Sequence, residues 1–91
     1  MADNDGRQIL KVGEETLCRP TVGEVPGNID FTPEIPDNFI IVKGEQKKIN
    51  TLYIYELTLR AEKPGDCEVA VDIRLNGNKV GSTHYSFHIT P

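Results

Sequence analysis

Cys67-Glu68-Val69-Ala70-Val71-Asp72-Ile73-Arg74-Leu75-Asn76-Gly77-Asn78, followed by Thr83-His84-Tyr85-Ser86-Phe87-His88-Ile89, decides the fold class of this chain. In the first segment Cys67, Val69, Val71, Ile73 and Leu75 share one parity, and Glu68, Asp72, Arg74 and Asn76 share the other. In the second, Tyr85, Phe87 and Ile89 alternate with His84, Ser86 and His88. A period of two sends alternate side chains to opposite faces of a strand, so each segment reads as a half-buried antiparallel strand. Asn76-Gly77-Asn78 supplies residues that accept the positive φ of a tight hairpin turn. Upstream, Pro64-Gly65-Asp66 marks a corner between strands.

Working outward, the longest strand carries Tyr53, Tyr55, Leu57 and Leu59 on one parity and Glu56, Thr58 and Arg60 on the other, with Leu52 and Ile54 leaving its first half apolar on both faces. Gln8 to Val12 is a short first strand, and Thr16-Leu17-Cys18 runs extended into Arg19-Pro20-Thr21-Val22-Gly23. Between residues 20 and 38 stand Pro20, Pro26, Pro33 and Pro36. Each removes a backbone donor, which excludes a helix and limits strands to short edge pieces, Asn28 to Phe31 first among them. Phe39 to Lys43 is apolar on both parities and reads as a buried strand or one that changes sheets. Lys43 to Asn50 reads as a polar loop. About seven strands at this spacing imply an all-β, immunoglobulin-like antiparallel sandwich. Residues 8–91 form one such domain behind a flexible terminus at 1–7. The expected core holds Leu57, Leu59, Val69, Val71, Ile73, Tyr85, Phe87 and Ile89 from three adjacent strands.

A chain of 91 residues can bury only somewhat above ~60% of its unfolded surface, enough for one modest core. A net charge of −4 opposes a nucleic-acid partner, because binding phosphates takes a basic face. The longest apolar stretch, Phe39 to Val42, is too short to enter a membrane as a spanning segment. Met1 to Asp5 is acidic without an apolar run, unlike a secretory signal. A cytoplasmic monomer is therefore expected, unless an export signal has been removed, with Cys18 and Cys67 reduced.

Residue types that could carry chemistry do not converge. His84 and His88 share a strand face, but four residues at ~3.3 Å each set them about 13 Å apart, too far to chelate one ion together. A metal-binding or small enzymatic sandwich using both with Asp72 stays open as the least favoured reading. Cys67 points into the expected core, and Cys18 beside Arg19 is the one candidate for a reactive thiolate. Glu14-Glu15 and Glu34 with Asp37 lie in loops with no apolar pocket to raise a pKa. No catalytic set, metal or cofactor is expected. The informative features are loops: stiff Arg19 to Gly23, the hairpin tip Arg74 to Lys79, and Lys43 to Lys48. In sandwiches such loops gather at the ends and carry binding.

Val12-Gly13-Glu14, Pro20-Thr21-Val22-Gly23, Leu57-Thr58-Leu59-Arg60-Ala61-Glu62-Lys63-Pro64-Gly65-Asp66 and Tyr85-Ser86-Phe87-His88-Ile89, in that order, resemble the chagasin-like inhibitors of papain-family cysteine proteases. The family's inhibitory loop reads Asn-Pro-Thr-Thr-Gly before an aromatic residue. Pro20, Thr21 and Gly23 match it, while Arg19, Val22 and Glu24 replace the Asn, the second Thr and the aromatic. Its Arg-Pro-Trp motif is reduced to Arg74 before Leu75-Asn76, and its middle glycine-containing loop would correspond to Lys43 through Asn50. The resemblance implies a reversible, non-catalytic inhibitor that binds a protein through surface loops. The residues it assigns to a papain-like partner are Pro20, Thr21, Val22, Gly23, Lys43, Gly44, Arg74 and Asn76. A generic immunoglobulin-like adhesion or assembly module, binding a protein or a glycan, is the alternative.

Overall fold

The structure, a computed structural model, describes residues 7–23 and 25–91. Among the described residues eight strands run in chain order: β1 (Gln8–Lys11), β2 (Glu15–Cys18), β3 (Thr21–Val22), β4 (Ile29–Glu34), β5 (Phe39–Ile49), β6 (Leu52–Ala61), β7 (Gly65–Leu75) and β8 (Asn78–Thr90). One sheet has the order β1-β8-β7-β4, with β1 parallel to β8 and the other pairs antiparallel. In the other, β6 is central, with β5 along one side and β2 then β3 along the other. The β2–β3 break falls at Arg19-Pro20, yet the Tyr55 amide still donates to the Pro20 carbonyl at 3.0 Å. Read as one strand interrupted by proline, β2 and β3 bring the count to the expected seven. A proline is tolerated there because the strand lies at a sheet edge. This is an immunoglobulin-like sandwich whose first strand has joined the sheet of the last.

The alternating segments face inward as their parity requires. Leu57, Leu59, Val69, Val71, Phe87 and Ile89 are fully buried, joined by Leu10, Cys18, Phe39 and Ala61. The Phe39 and Phe87 rings meet edge to face, centroids 4.9 Å apart, a geometry that favours the aromatic quadrupoles. Tyr85 packs against this core from its rim. Ile73 is only half buried, because its cross-strand partner is Gly81, which has no side chain to cover it.

Three expectations need correction. Lys43 to Asn50 is not a loop: β5 continues to Ile49, and Lys43 to Ile49 pair with Thr58 to Leu52. Its polar composition reflects an edge strand, where charge discourages pairing with another chain. Nor is Phe39 to Lys43 a buried strand. Phe39 alone is buried, and Ile40, Ile41 and Val42 are 40–49% exposed around a bulge between Ile41 and Lys43. Third, β4 extends through Pro33 to Glu34, again at a sheet edge. The flexible terminus expected at 1–7 lies outside the described residues except for Arg7, whose Nη1 sits 3.5 Å from Asp66.

Candidate functional site

Strand pairing places three connections at one end of the sandwich. Val22 pairs with Tyr53, one residue after β6 begins, so the chain leaves β3 beside the β5–β6 turn at Asn50-Thr51. It crosses to the other sheet and enters β4 at Ile29, which pairs with Leu75 just before the Asn76-Gly77 turn. Gly23, residues 25–28, Asn50-Thr51 and Asn76-Gly77 therefore share an end. Both turns use the left-handed conformation: Asn50 has φ 55°, Asn76 52° and Gly77 87°. Asparagine and glycine tolerate that region better than other residues.

The end is braced by specific bonds. Asn28 and Asn76 bond reciprocally, the Asn28 amide donating to Asn76 Oδ1 at 3.0 Å and the Asn76 amide to the Asn28 carbonyl at 2.9 Å. Gln46 Nε2 donates to the Ile29 carbonyl at 2.8 Å, linking β5 to β4 across the sandwich. Beneath these bonds the Phe31 and Tyr55 rings stack at 5.5 Å and 9° between the sheets.

The residues expected at a binding surface fare differently. Thr21 is exposed in β3, its Oγ1 donating to the Arg19 carbonyl at 3.3 Å. Val22 is half buried, and Pro20 is buried, so Pro20 anchors the segment rather than presenting a side chain. Gly23 has open space where a Cβ would stand and no positive φ. Glu24, where the resemblance places an aromatic residue, lies outside the described residues. Arg74 is half buried and reaches the Gly77 carbonyl at 3.5 Å, so it lies against the turn. Lys43 and Gly44 are not at this end: Lys43 stands six positions before Ile49, roughly 20 Å along the strand. Gly44 has another purpose, since a Cβ there would lie 2.5 Å from Tyr55 Oη. The sequence reading included Asn50 as the last residue of its expected loop but did not single out Thr51 or Val25 to Asn28. Gly27-Asn28 and Asn50 carry the turn chemistry that could have located them.

Outside this end, polar groups pair locally. Glu56 accepts from Lys47 at 2.9 Å, with Arg19 at 3.4 Å, and the Lys47 bond holds the Glu56 carboxyl below its ordinary value. His88 bonds Asp66, and that bond lowers the Asp66 pKa, with a smaller contribution from Arg7. His84 Nδ1 lies 3.3 Å from Glu68, and Lys79 Nζ lies 3.5 Å from the buried Asp72. Among the described residues no three His, Cys, Asp or Glu side chains gather as a metal site. Cys18 and Cys67 are free thiols. Burial pushes Cys18 up to about 11, so it holds almost no thiolate at neutral pH and is no nucleophile.

No protein-family model matches the chain, and no curated protein matches it by sequence. Among solved structures, the chain is similar to the cysteine protease inhibitor EhICP2 from Entamoeba histolytica. The two align at TM-score 0.63 and 18% identity, over 94% of this chain and 88% of the other. The likeness spans nearly the whole sandwich and is a likeness of fold.

Proposed function

We propose that this chain is a reversible inhibitor of papain-family cysteine proteases and performs no catalysis of its own. The observation that carries the reading is the likeness of 94% of the chain to a cysteine protease inhibitor, with Pro20-Thr21-Val22-Gly23 entering the loop end. The docking surface comprises Thr21 to Gly23, Val25 to Asn28, the Asn50-Thr51 turn and Arg74 to Lys79. Gly23 allows close approach because nothing projects from its backbone. Thr21 presents its side chain beside it, while Pro20 and the β3–β6 pairing hold the segment extended. A segment already fixed in its bound shape loses little entropy on docking, which lets a small surface bind well. Lys43 and Gly44 take no part in contact.

The test is protection of the protease. A papain-like enzyme mixed with excess protein should resist labelling of its catalytic cysteine by a small thiol-directed reagent. Labelling should return on dilution, with the added chain uncut. Full labelling in the presence of saturating protein rejects the reading and leaves a generic protein- or glycan-binding module.

A further inference from the structure

The sequence places Asn76 among the contact residues, but its side chain is already engaged. Oδ1 accepts the Asn28 amide at 3.0 Å, and the Asn76 amide donates in return to the Asn28 carbonyl at 2.9 Å. Gly27 makes this possible. At φ 118° it occupies a conformation that other residues rarely adopt, and a Cβ on it would stand 2.7 Å from Asn76 Nδ2 and 2.8 Å from Oδ1. Asn76 itself sits at φ 52°, which turns its short amide back toward residue 28. Two sequence-distant turns thus meet through one backbone bond and one side chain lying over one glycine.

We infer that Asn76 is a positioning residue: with Gly27 it latches residues 25–28 to the β7–β8 turn, so that both meet a partner as one rigid unit. This rests on the docking reading above. Gln46 completes the arrangement by fixing Ile29 from the opposite sheet at 2.8 Å. Losing the latch lets residues 25–28 sample other shapes, and apparent affinity falls by the fraction of molecules still in the competent one. That loss appears in the association rate. Removal of a direct contact would instead speed dissociation.

The test compares Asn76→Gly, which keeps the turn conformation but removes the acceptor, with Asn76→Asp, which keeps both. In the first arm, amide hydrogen exchange is measured without protease. The Asn28 amide should exchange about five- to thirtyfold faster in Asn76→Gly, the range for one or two lost interactions of ordinary strength. Asn76→Asp should stay near wild type, and the core amides of Val69 and Val71 should not change in either. In the second arm, association with a papain-like enzyme should slow about tenfold in Asn76→Gly and recover in Asn76→Asp. Unchanged Asn28 exchange overturns the latch. Faster exchange with an unaltered association rate, or a change confined to dissociation, overturns the positioning role. If the wild-type chain binds no such protease, the positioning role falls with the docking reading, while the exchange arm separately decides the latch.

Discussion

Gly44→Ala tests the largest departure of the structure from the sequence, the replacement of an expected loop by strand β5. In a solvent loop the added methyl would be neutral or would stabilise by about 0.4–1 kcal/mol, through fewer unfolded conformations. In β5 it would stand 2.5 Å from Tyr55 Oη and 3.3 Å from Cζ. Carbon contacts are optimal near 3.5–4.0 Å, so the ring must move. Moving it disturbs the 5.5 Å stack on Phe31, worth about 0.5–1.5 kcal/mol, within an overall overpacking cost of about 1–3 kcal/mol. Subtracting the entropic gain leaves a net loss of roughly 1–2 kcal/mol, or roughly 5–15 °C in Tm for a chain of this size. Calorimetry on the single variants and the Gly44→Ala/Tyr55→Phe double variant completes the cycle. Tyr55→Phe deletes the nearest atom, so Gly44→Ala should be far milder in that background, with a coupling of about 1 kcal/mol or more. A Gly44→Ala protein as stable as wild type, or additive effects, would refute the placement of Gly44 beneath Tyr55.

Other expectations follow from the core and the charged faces. Val71→Asp puts a charge at a fully buried position with no partner and should abolish the cooperative thermal transition; native stability would mean that the β7 register is wrong by one residue. Cys18 should resist a maleimide at pH 8 in the native protein and react once it is unfolded, because the thiol is buried with its pKa near 11; rapid native labelling would contradict that burial. The Asp66 carboxyl has a lowered folded pKa, so its contribution is complete above the ordinary carboxylate range and is lost as pH falls through the folded value. Asp66→Asn should therefore show a smaller fall in Tm than wild type between neutral and strongly acidic pH, and parallel acid profiles would remove the His88–Asp66 bond from the account.

Strand identity was legible where one face is dry and the other wet. Val69, Val71, Phe87 and Ile89 share an inward parity, their neighbours Glu68, Asp72, Ser86 and His88 are polar with Ala70 the exception, and all four are buried. The same rule misled at β5. Ile40, Ile41 and Val42 look like a buried run, yet they lie on a bulged edge, where no strand covers them and apolarity does not report burial. Lys43 to Lys48 looks like a loop because an edge strand must be polar, and sequence alone cannot separate those two causes of polarity. At the candidate site, Pro20 to Gly23 stood out in the sequence as a stiff, proline-led segment with a motif resemblance, and Thr21 and Val22 form edge strand β3. The Asn28–Asn76 latch did not stand out, because it joins residues 48 positions apart through a backbone amide that leaves no periodic trace. Gly27 and Asn28 carried the hint, as glycine beside asparagine in a segment too proline-rich for a regular strand.

The central claim is inhibition through the loop end, and the inhibition constant measures it most directly. Wild-type protein and the Thr21→Ala/Gly23→Val double variant are titrated against one papain-like enzyme cleaving a fluorogenic peptide. Gly23 has free space around its Cβ position and an ordinary φ, so the double variant should keep its fold and its Tm. The account predicts reversible inhibition by the wild type, weakened at least about tenfold in the double variant, the equivalent of ~1.4 kcal/mol of binding. An enzyme left fully active by micromolar wild-type protein, or equal inhibition by both proteins, would contradict it.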